Sequence, residues 1–113
     1  GDPDAALAEL RALAKDANLD LSAALARLEQ RIGFMAAGGV ELSQVRFATA
    51  FGRALDYYTG MVFELYDPRD HVKWPLIAGG RYDKLMTLLG SKTTIPAVGF
   101  AAWIEELEQA GAA

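Results

Sequence analysis

Val45-Arg46-Phe47-Ala48-Thr49-Ala50-Phe51-Gly52-Arg53-Ala54-Leu55-Asp56-Tyr57-Tyr58-Thr59-Gly60-Met61-Val62-Phe63-Glu64-Leu65 is the stretch on which the fold turns. Val45, Phe47, Thr49 and Phe51 alternate with Arg46, Ala48 and Ala50, the period of two that a half-buried strand requires. A second alternation, Met61, Phe63 and Leu65, follows the junction at residues 56–60. The two runs therefore predict adjacent antiparallel strands.

Downstream, Asp67-Pro68-Arg69-Asp70 supplies turn chemistry. Residues 74–78 read as a third strand, Gly79-Gly80 as a tight turn, and residues 81–89 as a short helix closed by Gly90. A strand over residues 95–101 then feeds a last helix through Glu108. Upstream the period is helical. Asp2-Pro3 offers an N-cap and a proline at the first helical position, and Leu7, Leu10, Ala14 and Ala17 follow at helical spacing. Asn18 and Asp20 interrupt the pattern; Leu25, Leu28, Ile32 and Met35 resume it until Gly38-Gly39. Residues 1–40 thus predict a helical hairpin. Helices followed by strands and mixed elements indicate an α+β class, with a mainly antiparallel sheet flanked by helices. At 113 residues and 52% apolar content, the chain supports one core, read as a single domain over 1–113.

Composition removes several function classes. A net charge of -4 with no basic run lacks the electrostatic footprint of a nucleic-acid binder. Apolar stretches fall short of the ~18 residues of a membrane span, and no basic-then-apolar signal opens the chain, so a cytoplasmic protein is expected. The absence of cysteine and the single His71 argue against sulfur-ligated or multi-histidine metal sites; no metal and no cofactor are expected.

Three segments carry residue types that packing alone explains poorly. In residues 51–60 an arginine, a carboxylate and two tyrosines crowd one junction. Arg53 could fork onto a ligand carboxylate or phosphate and a tyrosine hydroxyl could address a small polar ring, or Arg53 could pair with Asp56 while both tyrosines are half-buried sheet residues. In Ala78-Gly79-Gly80-Arg81-Tyr82-Asp83-Lys84-Leu85, two glycines before a helix allow close ligand approach to backbone amides; a plain strand-to-helix turn fits equally well, and no Walker or dinucleotide spacing is present. Residues 96–107, small residues leading into an acidic helix, form by themselves an ordinary amphipathic terminus.

In this order and spacing, the three segments resemble the second half of the class II histidyl-tRNA synthetase catalytic core. Arg-Ala-Leu-Asp-Tyr-Tyr-Thr-Gly is similar to the signature in which an arginine lies between the amino-acid carboxylate and the nucleotide phosphate and a tyrosine addresses the imidazole. That resemblance places those roles on Arg53 and Tyr58. Gly-Gly-Arg-Tyr-Asp resembles the second histidine-specific segment, with Gly79 and Gly80 lining the pocket and Tyr82 closing it. Residues 43–110 would then be the C-terminal part of such a core, with the hairpin matching the end of the preceding insertion. Motifs 1 and 2 would lie before Gly1, leaving an unpaired sheet edge and an uncovered apolar face.

The third segment departs from the synthetase pattern. Where class II motif 3 has Glu-Arg, with the arginine on the ATP triphosphate, Glu105 is followed by Glu106. Trp103 stands where a small glycine usually leaves room for the nucleotide; it reads equally as a core aromatic. Substituting a carboxylate turns an attraction of about 4 kcal/mol at 4 Å and an effective dielectric of 20 into repulsion. This departure, the Phe-Gly-Arg lead-in and the Leu-Leu-Gly helix ending look more like the regulatory-subunit branch associated with ATP phosphoribosyltransferase. The resemblance implies histidine as ligand, a catalytic phosphoribosyltransferase subunit as partner, a homo-oligomeric full-length form, feedback regulation and no catalytic residues. A piece of an active histidyl-tRNA synthetase is the alternative, and a stand-alone histidine-binding or structural module a third reading.

Overall fold

The computed structural model describes residues 1–52, 57–69 and 72–111. The chain divides into two compact units, Gly1–Phe51 and Gly52–Ala113.

The first unit is the expected helical hairpin. Helix α1 spans Pro3–Asp16, and the Asp2 carboxylate accepts from the Asp4 and Ala5 amides, which have no partner within the helix. It ends through Asn18 at φ 52°, with the Leu19 amide donating to the Ala14 carbonyl at 2.8 Å. Asparagine is one of the few residues that adopts this left-handed conformation at low cost. Asp20 then accepts from the amide and hydroxyl of Ser22 at the start of α2, Ser22–Ala37. Gly39, at φ 85°, closes α2 as Asn18 closes α1, with Val40 donating back to Met35. Leu7, Ala14 and Ile32 are buried between the helices. The 2.7 Å Arg11–Glu29 ion pair is half exposed on both sides and contributes little beyond them.

The strand expected over residues 45–51 does not form. A short 3₁₀ turn occupies Leu42–Gln44, and the chain continues without regular structure to Gly52. The Phe47 amide bonds the Gly1 carbonyl, and Phe51 turns back on Ala48, so no ladder is available to this run. Alternation marks which side chains can share a face, but a strand also needs a neighbour to satisfy its backbone. Ala48 and Ala50 add little strand preference. The expected pairing of residues 45–51 with residues 61–65 is therefore absent.

The second unit is a three-stranded sheet, β1 (Val62–Leu65), β2 (Ile77–Arg81) and β3 (Val98–Ala102), in that spatial order and antiparallel throughout. Among the described residues, two helices accompany it, α3 (Leu85–Leu88) and α4 (Ile104–Gly111). The α+β class and mainly antiparallel sheet are as expected; the boundaries differ. The third strand lies three residues further on, so Gly79-Gly80 sits inside the central strand rather than in a tight turn. A Cβ on Gly79 would collide with the Gly99 carbonyl and stand 2.7 Å from the Phe100 Cβ. Close approach of the neighbouring strand, not a reversal of the chain, accounts for glycine here. The helix expected over residues 81–89 shortens to four residues, because Tyr82 and Asp83 remain tied to the sheet margin.

Phe63, Leu65, Ile77, Val98 and Phe100 share one face of this sheet, and Leu65, Val98 and Phe100 are largely exposed. At the other extremity Asp67 organises a turn by accepting from the Arg69 amide, and Arg69 donates to the carbonyl of Ala110 near the end of α4. A guanidinium there satisfies a helix-terminal carbonyl and complements the helix dipole.

Candidate functional site

Strand register builds the site on the face opposite Phe63 and Phe100. Val62, Gly80 and Gly99 are mutually opposed across the three strands, and paired residues point to the same side. With two of these three positions lacking a Cβ, the sheet has a flat floor. The Tyr58 ring lies against Gly80, where a Cβ would be 2.8 Å from its Cε1, and the Tyr82 hydroxyl occupies the space a Cβ on Gly99 would need. Tyr57 completes the cluster. Its ring centroid is 4.6 Å from that of Tyr58 and 5.3 Å, edge-on, from that of Tyr82, with Tyr58 and Tyr82 6.4 Å apart. Tilted and edge-to-face contacts are the arrangements aromatic quadrupoles favour, so the three half-buried phenols hold one another in place.

Asp83 ties this cluster to its frame. Its amide donates to the Thr59 hydroxyl at 3.0 Å, while its two carboxylate oxygens accept from the Ala97 amide at 3.0 Å and the Arg81 Nε at 2.8 Å. The Arg81 guanidinium, aided by the Ala97 amide, holds the Asp83 carboxyl below its ordinary value against the opposing effect of partial burial.

Of the residues singled out from sequence, Tyr58, Gly80 and Tyr82 are brought together. Gly79 faces the other way, toward Phe100, as strand alternation demands. Arg53 and Asp56 lie outside the described residues, as does His71. Sequence reading missed Tyr57, Thr59, Asp83 and Gly99. The Tyr57-Tyr58 doublet hinted at the first; Gly99 is remote from Gly80 along the chain, and only register brings the two together.

At the other end of the strands an open groove of about 620 Å3 is lined by Glu64, Tyr66, Trp74, Trp103 and Glu106, with Lys73 and Pro75. The Trp103 amide donates to the Leu76 carbonyl at 3.0 Å, and the Leu76 amide to the Leu65 carbonyl at 2.8 Å, which fixes this end of the sheet. Trp103 is therefore part of an accessible aromatic wall, 40% exposed, rather than a core residue. Among the described residues, no group of three or more histidine, cysteine, aspartate or glutamate side chains could hold a metal, and no helix is long and apolar enough to cross a membrane.

Known proteins extend the reading. The chain is 44% identical over 93% of its length to proteins named ATP phosphoribosyltransferase regulatory subunit from Brucella canis, Brucella suis and Brucella melitensis. It spans 28% of the length of each of these relatives. The family model described as histidyl-tRNA synthetase matches residues 1–107. The α+β architecture with its antiparallel sheet and the match across nearly the whole sequence lead to one assignment: the chain belongs to the histidyl-tRNA synthetase family.

Proposed function

We propose that this chain is part of a regulatory subunit of ATP phosphoribosyltransferase, which acts in the first step of histidine biosynthesis, and that it binds histidine for feedback control without aminoacylating tRNA. One observation carries the reading: a tyrosine-walled site floored by Gly80 and Gly99 at one end of the sheet coexists with an acidic aromatic groove at the other. Tyr58 and Tyr82 offer hydroxyls to an imidazole that can both donate and accept, and Gly80, lacking a Cβ, lets the Tyr58 ring lie directly against the central strand. Arg53 is the counter-charge for the ligand carboxylate. Gly79 supports the floor from behind by admitting β3 at close range.

Glu64, Trp103 and Glu106 line the groove, and by the resemblance to motif 3 Glu106 stands where a synthetase's arginine would meet the nucleotide and Trp103 where a glycine would leave it room. A phosphate charge 4 Å from a carboxylate is repelled by about 4 kcal/mol at an effective dielectric of 20. ATP activation is therefore lost. The relatives bearing the regulatory-subunit name support the same choice over a piece of an active synthetase. The protein works in the cytoplasm as a homo-oligomer with a catalytic phosphoribosyltransferase subunit, residues 43–110 being the C-terminal part of a class II synthetase-like core. The test is histidine-dependent ATP-pyrophosphate exchange by the full-length protein beside histidine inhibition of the reconstituted phosphoribosyltransferase. Inhibition without exchange is expected. Exchange at a synthetase's rate, with no inhibition, would overturn the reading.

A further inference from the structure

We propose that Asp83 is the positioning residue of the tyrosine site, locking Tyr58, Tyr82 and the start of β3 into one frame; this rests on reading the site as a ligand pocket. Three stretches far apart in sequence meet at this residue. Its amide reaches Thr59, adjacent to Tyr58; one carboxylate oxygen takes the Ala97 amide, two residues before Gly99; the other takes Arg81 on β2. Backbone bonds run parallel to these, from Thr59 to the Arg81 carbonyl and from Tyr82 to the Ala97 carbonyl, both at 2.9 Å.

The requirement is for a carboxylate specifically. Ala97 and Arg81 are both donors and each occupies a different oxygen, so the side chain must accept at both ends. Asparagine offers one acceptor and would set its amide against a donor. Alanine leaves both donors to solvent and frees Ala97 from Asp83. Because Gly99 lies directly after Val98 on the same strand, a shift at Ala97 changes the floor beneath the Tyr82 hydroxyl. Asp83 thereby acts on a ligand through the tyrosines and not by touching it.

The test uses the full-length protein labelled with 3-fluorotyrosine, the Tyr82 fluorine resonance being assigned by its loss in Tyr82→Phe. Asp83→Ala is expected to move that resonance and to weaken histidine binding about tenfold or more, with Asp83→Asn intermediate. Leu7→Ala, which destabilises the helical hairpin, serves as the control and should lower the melting temperature while leaving both readouts alone. If Asp83→Ala does not accumulate as folded protein, Thr59→Val removes the acceptor of the Asp83 amide and should move the same resonance with a several-fold loss of affinity. An unmoved Tyr82 resonance, or wild-type histidine affinity in Asp83→Ala, overturns the positioning role. A moved resonance in a protein whose wild type binds no histidine leaves the role of Asp83 standing and overturns the ligand reading instead.

Discussion

Replacing Gly80 by alanine adds one methyl group at the point where the central strand meets both β1 and the tyrosine site. The new Cβ would stand 2.6 Å from the Met61 carbonyl oxygen and 2.8 Å from the Tyr58 Cε1. Carbon atoms pack best at about 3.5–4.0 Å, so the ring must retreat by about 1 Å. The oxygen cannot yield as easily, since Met61 accepts the Arg81 amide at 2.9 Å and its movement would open the sheet. The displacement therefore falls mainly on Tyr58. Overpacking of this kind costs about 1–3 kcal/mol, which corresponds to roughly a 5- to 150-fold loss of histidine affinity if it is borne by the bound state. Calorimetry on the full-length variant, with a thermal melt beside it, separates lost affinity from lost fold. Gly80→Ala with unchanged affinity and melting temperature would refute the close-packed floor.

Two further outcomes concern stability. Gly33 lies within α2, and a methyl group added there would meet nothing within 4 Å, so Gly33→Ala should stabilise the protein by about 0.5–1 kcal/mol, read as a higher melting temperature. Asp83 has a folded pKa below its unfolded value, so its stabilising effect is present above the unfolded carboxylate range near about pH 4 and is lost as pH falls through the folded pKa; Asp83→Asn should flatten the acid limb of a stability–pH curve measured by denaturation, and an unchanged limb would count against the Arg81 contact. Asp20 carries a shift in the same direction from its Ser22 bonds, so some acid sensitivity should persist in that variant.

The helical hairpin was legible because its signals are local. Asp2-Pro3 caps one end, Asn18 and Gly39 take the left-handed conformations that stop helices, and the apolar stripe selects Leu7, Ala14 and Ile32 for burial. The sheet was legible as a class, less so in its boundaries. Residues 45–51 carry the right alternation, but the Phe47 amide bonds Gly1 rather than a neighbouring strand, a partner that period alone does not specify. Gly79-Gly80 signals a turn in isolation; Phe100 and Tyr58, packed from opposite faces, are what make it strand. The same nonlocality hid Gly99 and Asp83. Tyr58, Gly80 and Tyr82 could be picked from their motifs, whereas the residues that hold them together are defined by register and by hydrogen bonds spanning 14 and 24 positions.

The most direct test is a calorimetric titration of histidine into the full-length protein, wild type against Tyr58→Phe. Saturable binding to the wild type is expected, weakened up to about tenfold in the variant, because a neutral hydroxyl hydrogen bond contributes about 0.5–1.5 kcal/mol. No saturable heat from the wild type, or equal affinity in the two proteins, would contradict histidine sensing at the tyrosine site.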